Sequence, residues 1–270
     1  MTAWETVGFG VTTAAGIGTF TNTVGYTGQT GTVRNTQLGS KVSLEALWYD
    51  STQVTAARVR SPRLHDNVRG IMFTGPIGPT VNLLGYRPYT PLVPQDLLIV
   101  EAAGAAAVAT GVYLQISYAS LPGSDGNFAS WSSVKPRVVD IMTQEVVLTA
   151  VATANNWSVG IAINTNSDLM KANTWYALLG YQTSANFGGV AIQGPDTGGL
   201  KVGGPAISQA LETREWFCWM DEFGEEPGIP VINSANKAGT FLFAGAAPAT
   251  VTSNVDLLFA ELQGSTLPVG

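Results

Sequence analysis

Histidine and cysteine, on which most nucleophilic catalytic sites depend, are scarce in this chain. Its 270 residues include one histidine, His65, and one cysteine, Cys218. His65 lies in the polar stretch SPRLHDNVRG with no G-x-S-x-G motif nearby, and Cys218 stands between two aromatic residues, a setting typical of an inert buried thiol. We therefore expect neither a serine triad nor a Cys–His pair, and a lone cysteine cannot form an internal disulfide.

One triplet is typical of an enzyme, the Asp-Thr-Gly at 196–198, which is the local signature of aspartic proteases. Those enzymes need two carboxylates that share a proton, one from each of two related lobes. No second Asp-Thr-Gly or Asp-Ser-Gly occurs, and the internal repeat described below aligns Asp196 with Arg63. A polar turn in GPDTGG explains the triplet. We expect no enzymatic activity, no catalytic residue and no cofactor.

Four acidic residues cluster in the stretch MDEFGEEPGIP: Asp221, Glu222, Glu225 and Glu226. Hard cations such as Ca²⁺ prefer carboxylate oxygens, but the spacing of these residues matches no calcium-loop pattern. We expect a solvated loop and no metal site. Calcium bound between subunits is the alternative that the sequence leaves open.

Half of the arginines fall within twelve residues: Arg58, Arg60, Arg63 and Arg69. Arg58 and Arg60 would share one face of a strand, because side chains alternate along β-structure. Phosphate or lipid headgroups could bind them, and acidic residues of a neighbouring copy are an equal alternative. The net charge of −6 and the lack of a phosphate-binding loop or RNA motif argue against a nucleic-acid binder.

The segments that must position these residues have the pattern of β-strands. VYLQISY, RVVDIMTQEVVLTAV, WSVGIAIN and GTFLFA are short β-branched and aromatic runs bounded by turn residues, which predicts an all-β sandwich or barrel. One stretch, AISQALETREWFCWMDEF at 206–223, has helical spacing instead. There Ile207, Leu211, Arg214 and Cys218 fall on one side and Gly224 follows, so we predict a short helix.

The chain also repeats itself. AAGAAAVATGVYLQISYASL (102–121) aligns without gaps with FAGAAPATVTSNVDLLFAEL (243–262), which places Tyr118 over Phe259. Upstream, NTQLGSKVSLEAL (35–47) aligns with NSDLMKANTWYAL (166–178), matching Leu47 with Leu178, and ARVRSP (57–62) aligns with VAIQGP (190–195). The matches occur in the same order in both halves, which indicates an internal duplication.

The duplication predicts two tandem jelly-roll β-sandwich modules, with the short helix in the second. We assign residues 1–121 to the first module, 122–136 to a surface linker rich in Gly, Ser and Pro, and 137–270 to the second. The N-terminal segment, dense in Gly and Thr, is either a strand of the first module or an arm that reaches a neighbour.

Charged residues make up 12% of the chain, about half of the roughly 25% typical of soluble domains. So little charge indicates a surface largely covered by other subunits; a neutral, Ser/Thr-rich secreted sandwich is the alternative. The remaining charge is uneven, with seven basic and six acidic residues up to position 121 and six against thirteen after it. No signal segment or membrane span is evident, so we expect a protein that is soluble when made.

Two β modules in one chain, with a short linker and a late helix, resemble the double jelly-roll major capsid proteins of tailless icosahedral bacteriophages. WYALLGYQ, GPDTGGLKVGGP and INSANKAGTFLFAGA are similar to sequences of that kind. The resemblance implies a structural protein made in the host cytoplasm and located in the virion. Three copies would place six jelly rolls in a pseudo-hexagonal homotrimer that tiles an icosahedral shell, often over an internal lipid membrane. Its partners would be itself and minor capsid or vertex proteins.

The competing hypothesis is a two-domain binding module, such as a carbohydrate-binding or receptor-binding spike protein of a virion. Trp175-Tyr176 and the aromatic group at 216–219 could stack on sugars, or they could fill a core or a subunit interface. The sequence leaves these alternatives open.

Overall fold

The computed structural model describes residues 3–34, 41–49, 53–63, 68–74, 80–83, 91–119, 126–150, 156–183, 187–206, 216–217, 228–245 and 250–264. Over these ranges the chain is mostly β-strand, arranged in four antiparallel sheets. The all-β prediction is confirmed.

Two sheets are formed by the first part of the chain. One has the order β3-β1-β9-β4-β7 and is built from β1 (Ala3–Thr12), β3 (Val24–Gly25), β4 (Val42–Tyr49), β7 (Thr80–Leu83) and β9 (Ala109–Tyr118). The other has the order β2-β8-β5-β6 and is built from β2 (Thr21–Asn22), β5 (Val54–Arg60), β6 (Ile71–Thr74) and β8 (Ile99–Gly104). We call this pair of sheets module one.

The second part of the chain forms the other pair, which we call module two. Its five-stranded sheet has the order β10-β16-β13-β18-β11, with strands β10 (Phe128–Ala129), β11 (Val138–Ala150), β13 (Trp175–Thr183), β16 (Ile229–Asn233) and β18 (Val251–Leu262). Its four-stranded sheet has the order β12-β17-β14-β15, with β12 (Ile161–Ala162), β14 (Phe187–Gln193), β15 (Val202–Ala206) and β17 (Phe241–Ala244).

Both modules have the same strand order. With the short β3 and β10 set aside, the described residues of each module form eight strands, and counting them along the chain gives the order 1-8-3-6 in one sheet and 2-7-4-5 in the other. This is the eight-stranded, two-sheet arrangement of a jelly roll. The shared order supports the duplication and the two tandem jelly rolls predicted from the sequence.

The repeat holds for whole strands but fails for one residue-by-residue match. Tyr118 and Phe259 both lie buried in the eighth strand of their module. Tyr118 pairs with Val42 and Phe259 pairs with Leu178, so matching Tyr118 with Phe259 would place Leu178 over Val42 and not over Leu47. The two predicted matches, Tyr118 with Phe259 and Leu47 with Leu178, are therefore incompatible, and at least one of them is out of register.

Part of the predicted surface linker is instead packed structure. Within 122–136, β10 pairs with β16 and so extends the second five-stranded sheet, and a short helix α1 (Trp131–Val134) follows. Phe128 and Val134 are buried in the core of module two. The apolar residues of this segment therefore pack into the core despite its many serines and glycines. Ser130 caps the helix by accepting a hydrogen bond from the Ser133 amide.

Two other predictions concern local elements. The N-terminal segment is a strand of module one, since β1 pairs with β9 along its whole length. Of the helix predicted at 206–223, Ala206 is instead the last residue of β15, Trp216 and Phe217 are helical, and the rest lies outside the described residues. No helix in the described ranges is long and apolar enough to cross a membrane.

Each module has its own hydrophobic core, as sheet-on-sheet packing requires. In module one, alternating residues of β1 such as Val7, Phe9 and Val11 point between the sheets and meet Leu114 and Val112 of β9. The residues between them on β1 point to the opposite face. That outer face is where the two modules meet.

Candidate functional site

The outer face of the five-stranded sheet of module one is buried although it lies outside that module's core. We call it the covered face and define it by five fully buried residues from β1, β4 and β9: Trp4, Thr6, Trp48, Tyr113 and Gln115. Residues next to them along β1 and β9 point into the core, so the alternation of a strand places these five outward. Contacts with module two explain their burial.

Strand β1 lies beside β15 of module two. The Thr6 amide donates a hydrogen bond to the Lys201 carbonyl at 2.7 Å. The Thr6 hydroxyl donates to the Gly203 carbonyl at 3.0 Å and accepts from the Gly203 amide at 3.2 Å. These three hydrogen bonds to the main chain around β15 fix the register of one module against the other, because each buried backbone group needs a partner.

Two tryptophans of the covered face reach carbonyl groups of module two. The indole Nε1 of Trp48 donates to the Gly188 carbonyl and that of Trp4 donates to the Gly228 carbonyl, each at 2.8 Å. Trp4 lies within the core of module two, where its ring centroid is 5.4 Å from that of Phe217. Large buried aromatic rings with a satisfied N–H are the residues that contribute most to interfaces.

An aromatic cluster continues the interface. Trp48 stacks on Tyr113, with ring centroids 5.5 Å apart and an angle of 13° between the planes. Trp157 of module two lies edge-on to Tyr26 at 5.7 Å and donates from its indole nitrogen to the Gln29 side chain at 2.8 Å. The cluster joins both modules through rings rather than through charge.

A glycine of module two leaves room for this cluster. A Cβ added to Gly245 would lie 2.4 Å from the Tyr113 hydroxyl and 3.0 Å from the Gly189 amide nitrogen, closer than side-chain atoms normally approach. The Gly245 amide donates instead to the Gly189 carbonyl at 2.7 Å. The two modules therefore pack closely at this point, with no space for a side chain at position 245.

Polar groups are also buried beside the covered face. The Glu45 carboxylate accepts hydrogen bonds from the hydroxyl groups of Ser43 and Ser117, and the two hydroxyls are 2.8 Å apart. The amide of Gln115 has no hydrogen-bond partner among the residues that the structure describes. These polar groups would be hydrated by solvent if module one stood alone. Their burial indicates that this face of module one is covered by module two.

The interface joins two different faces. Module one contributes its five-stranded sheet, and module two contributes its four-stranded sheet through β14 and β15 together with Trp157 and the helical residues 216–217. An interface between unlike faces is heterologous, and it leaves one face of each kind unused at the two ends of the pair. Among the residues that the structure describes, those are the outer four-stranded face of module one and the outer five-stranded face of module two.

The first unused face carries the predicted arginines, and we call it the arginine face. Register places Arg58 beside Glu101 of β8 on one side and Met72 of β6 on the other, and residues directly opposite each other share a face. Arg58 and Arg60 each bring their Nε to Glu101 Oε2, at 2.5 and 2.7 Å. The Arg58 guanidinium carbon also lies 4.2 Å from the centre of the Phe20 ring.

Within one chain, the acidic partner of both Arg58 and Arg60 is Glu101 of the same module. One carboxylate between two guanidinium groups leaves a net positive charge. Two more arginines, Arg63 and Arg69, are exposed in the connection between β5 and β6. The face as a whole is basic.

The ion triad makes a prediction about acid stability. Burial raises the pKa of Glu101, but hydrogen bonds from Arg60 and Arg58 outweigh it and hold the pKa below its ordinary value. A carboxylate with a lowered pKa stabilises the fold above its unfolded pKa and loses that contribution as the pH falls through the folded value. Urea midpoints should therefore fall between about pH 5 and pH 3, and this fall should be smaller in Glu101→Gln. An equally steep fall in the variant would contradict the assignment.

The second unused face is acidic, and we call it the acidic face. Along β11 the buried Val146 and Leu148 point into the core, so the alternate residues point outward. The outward residues of β11 are Ile141, Thr143, Glu145, Val147 and Thr149. Their partners on β18 are exposed or half-buried at Thr252, Asn254 and Asp256 but buried at Leu258 and Ala260, so the open part of this face is the part around Glu145 and Asp256.

Two carboxylates meet at the centre of the acidic face. Glu145 and Asp256 are directly opposite each other, an arrangement of like charges that destabilises an antiparallel pair. The Asn254 side-chain amide donates to Glu145 at 2.7 Å, and neither carboxylate forms an ion pair within the described ranges. Ile141 nearby is 47% exposed. The face is suited to a partner that brings positive charge and apolar surface.

The triplet at 196–198 is a structural turn, as the sequence predicts. Asp196 is 7% exposed and accepts hydrogen bonds from the side-chain amides of Asn127 and Asn236 and from the Asn233 amide, at 2.8 to 3.0 Å. Gly198 follows in the left-handed conformation, with φ of 63°. Asp196 ties three segments of module two together, and no second carboxylate contacts it among the described residues.

Several predicted features lie outside the described residues: His65, Cys218, and the acidic residues Asp221, Glu222, Glu225 and Glu226. In the ranges that the structure does describe, no group of three or more His, Cys, Asp or Glu side chains could hold a metal ion. The aromatic residues Tyr176, Trp216 and Phe217 are buried in the core of module two, and Trp175 packs against it. None of these four offers an open platform for a sugar ring.

Comparison with solved structures gives distant likenesses. The chain is similar to the major capsid protein P2 from bacteriophage PM2, at 12% identity over 98% of both chains and a TM-score of 0.25. It is also similar to the PBSX exported protein XepA, at 9% identity over 96% of this chain and 86% of that one, with a TM-score of 0.26. No protein-family model and no curated protein matches. TM-scores this far below 0.5 carry no weight for function.

Proposed function

We propose that this protein is a structural, self-assembling major capsid protein whose copies form pseudo-hexagonal homotrimers in an icosahedral virion shell. The observation that carries the proposal is the heterologous packing of two jelly rolls of the same strand order. A pair joined in this way can be extended by further copies, because each end still presents a face of the kind that is buried in the middle. Three two-module chains would supply six similar units.

The composition supports the same function. A shell subunit is surrounded by other subunits, so small and neutral polar side chains can replace surface charge. The 12% of charged residues and the exposed apolar side chains of Ile141, Met72 and Ile17 fit a surface that becomes buried on assembly. In this proposal the protein has no catalytic role, and its location is the virion after synthesis in the host cytoplasm.

The proposal is tested by the mass of the purified protein. Sedimentation velocity across a hundredfold range of concentration should show a trimer or a larger species, and negative-stain images should show three-fold tiles or closed particles. A strict monomer at every concentration, together with glycan binding on an array, would contradict the proposal and favour the carbohydrate-binding or receptor-binding module.

A further inference from the structure

We propose that the acidic face of one copy docks on the arginine face of the next copy, repeating between chains the contact that already joins the two modules within a chain. This inference rests on the proposed function and names the surfaces that would carry it. The partner is a second copy of this chain, and the contact is head-to-tail.

The order of faces argues for that partner. Within the chain, the outer five-stranded face of module one meets the four-stranded sheet of module two. The acidic face is the outer five-stranded face of module two, and the arginine face is the outer four-stranded face of module one. The two unused faces therefore correspond by duplication to the two that are already in contact. Head-to-tail contacts of this type give a closed ring when the rotation per unit permits closure.

The charges of the two faces are complementary. The arginine face carries Arg58 and Arg60 around a single carboxylate, with Met72 exposed beside them. The acidic face carries Glu145 and Asp256 directly opposite each other. A like-charge pair costs stability in an isolated sheet, and guanidinium groups from another molecule would relieve that cost.

The apolar residues are complementary as well. On the acidic face Ile141 and Val147 stand among threonines, and on the arginine face Met72 and Phe20 stand beside the guanidinium groups. Interfaces commonly combine a few apolar or aromatic side chains with arginine and a polar surround. Self-pairing of either face would place like charges together, so the charge pattern favours the unlike pairing over an isologous dimer.

Charge reversal tests the contact. Glu145→Lys with Asp256→Lys should raise the concentration of half-assembly at least about tenfold, because repulsion replaces attraction at each contact. The circular dichroism spectrum and urea midpoint should stay near those of the unmodified protein, since both side chains point outward. The matched control is Asp168→Lys, which reverses a surface carboxylate on neither face and should leave assembly unchanged.

A compensating variant makes the test specific to these two faces. A triple variant with Arg58→Glu, Arg60→Glu and Glu101→Arg reverses the charges of the triad and keeps its internal pairing. On its own, this triple variant should also assemble poorly. Combining it with Glu145→Lys and Asp256→Lys in one chain should restore assembly. Failure of the combined chain to recover, while each half remains folded, would contradict the proposed contact.

The outcomes separate this inference from the proposed function. If the unmodified protein associates and the Glu145→Lys, Asp256→Lys protein associates equally well, the face assignment is wrong and the self-assembling function stands. If the unmodified protein is a monomer at all concentrations, both are contradicted. Association that weakens as salt rises, both in the unmodified protein and in the Asp168→Lys control, would support the charged contact.

Discussion

Replacing Trp48 by alanine is expected to lower the free energy of unfolding by about 3–5 kcal/mol. The side chain is fully buried between the modules, stacks on Tyr113, lies 6.5 Å from Trp216 between ring centroids, and donates to the Gly188 carbonyl. Alanine would leave a cavity at the interface and an unpaired carbonyl. Urea denaturation followed by circular dichroism measures the change.

Two further variants show which part of Trp48 matters. Trp48→Phe keeps an aromatic ring and loses the indole N–H, so it should cost less than alanine, with about 1 kcal/mol of its effect due to the hydrogen bond. Leu97→Ala truncates a side chain that is 52% exposed and should change stability by no more than about 0.5 kcal/mol. A Trp48→Ala protein as stable as Leu97→Ala would show that the modules do not depend on this contact.

Replacing Asp196 by alanine is expected to cost about 3 kcal/mol or more, because hydrogen bonds to a charged group are each worth about 1.5–3 kcal/mol. The change would remove the acceptor for Asn127, Asn233 and Asn236 at once and leave their donors without it in a largely buried site. Loss of this acceptor should loosen the segment around β10. Hydrogen exchange of the Asn127 and Asn233 amides, alongside urea unfolding, would locate the effect.

The matched control for Asp196 is Asp168→Ala. Asp168 also accepts from a side-chain nitrogen, that of Lys237, but it is 40% exposed, so the pair should contribute about 1 kcal/mol or less. Equal stability losses in the two variants would contradict the structural role that we assign to Asp196.

The sequence predicted the architecture because its signals are local or repeated. Short runs of Val, Ile, Thr and aromatic residues between glycines and prolines indicate strands, and an ordered internal repeat indicates two modules of the same kind. Matching residue types between the two halves could not give the strand register, however. Leu47 and Leu178 align by residue type, but their partners in the eighth strands are Leu114 and Phe259, which the repeat does not match with each other.

The candidate surfaces depend on pairings that no local pattern encodes. Alternation predicted that Arg58 and Arg60 share a face, and register then brought Glu101 between them from a strand more than forty residues away. In the sequence, Trp4 and Trp48 look like core residues. A side chain buried against the other module has the same apolar character as one buried within its own module, so residue type does not distinguish the two cases. The signal that could have identified them was their position on strands whose alternate residues are also apolar.

A cryo-electron-microscopy map of the assembled protein would test the proposed arrangement of the modules. We expect jelly rolls in a closed ring, each presenting its five-stranded sheet to the four-stranded sheet of the next, with Glu145 and Asp256 of one copy facing Arg58 and Arg60 of another. A map in which like faces meet across a two-fold axis, or in which both faces point to solvent, would contradict it.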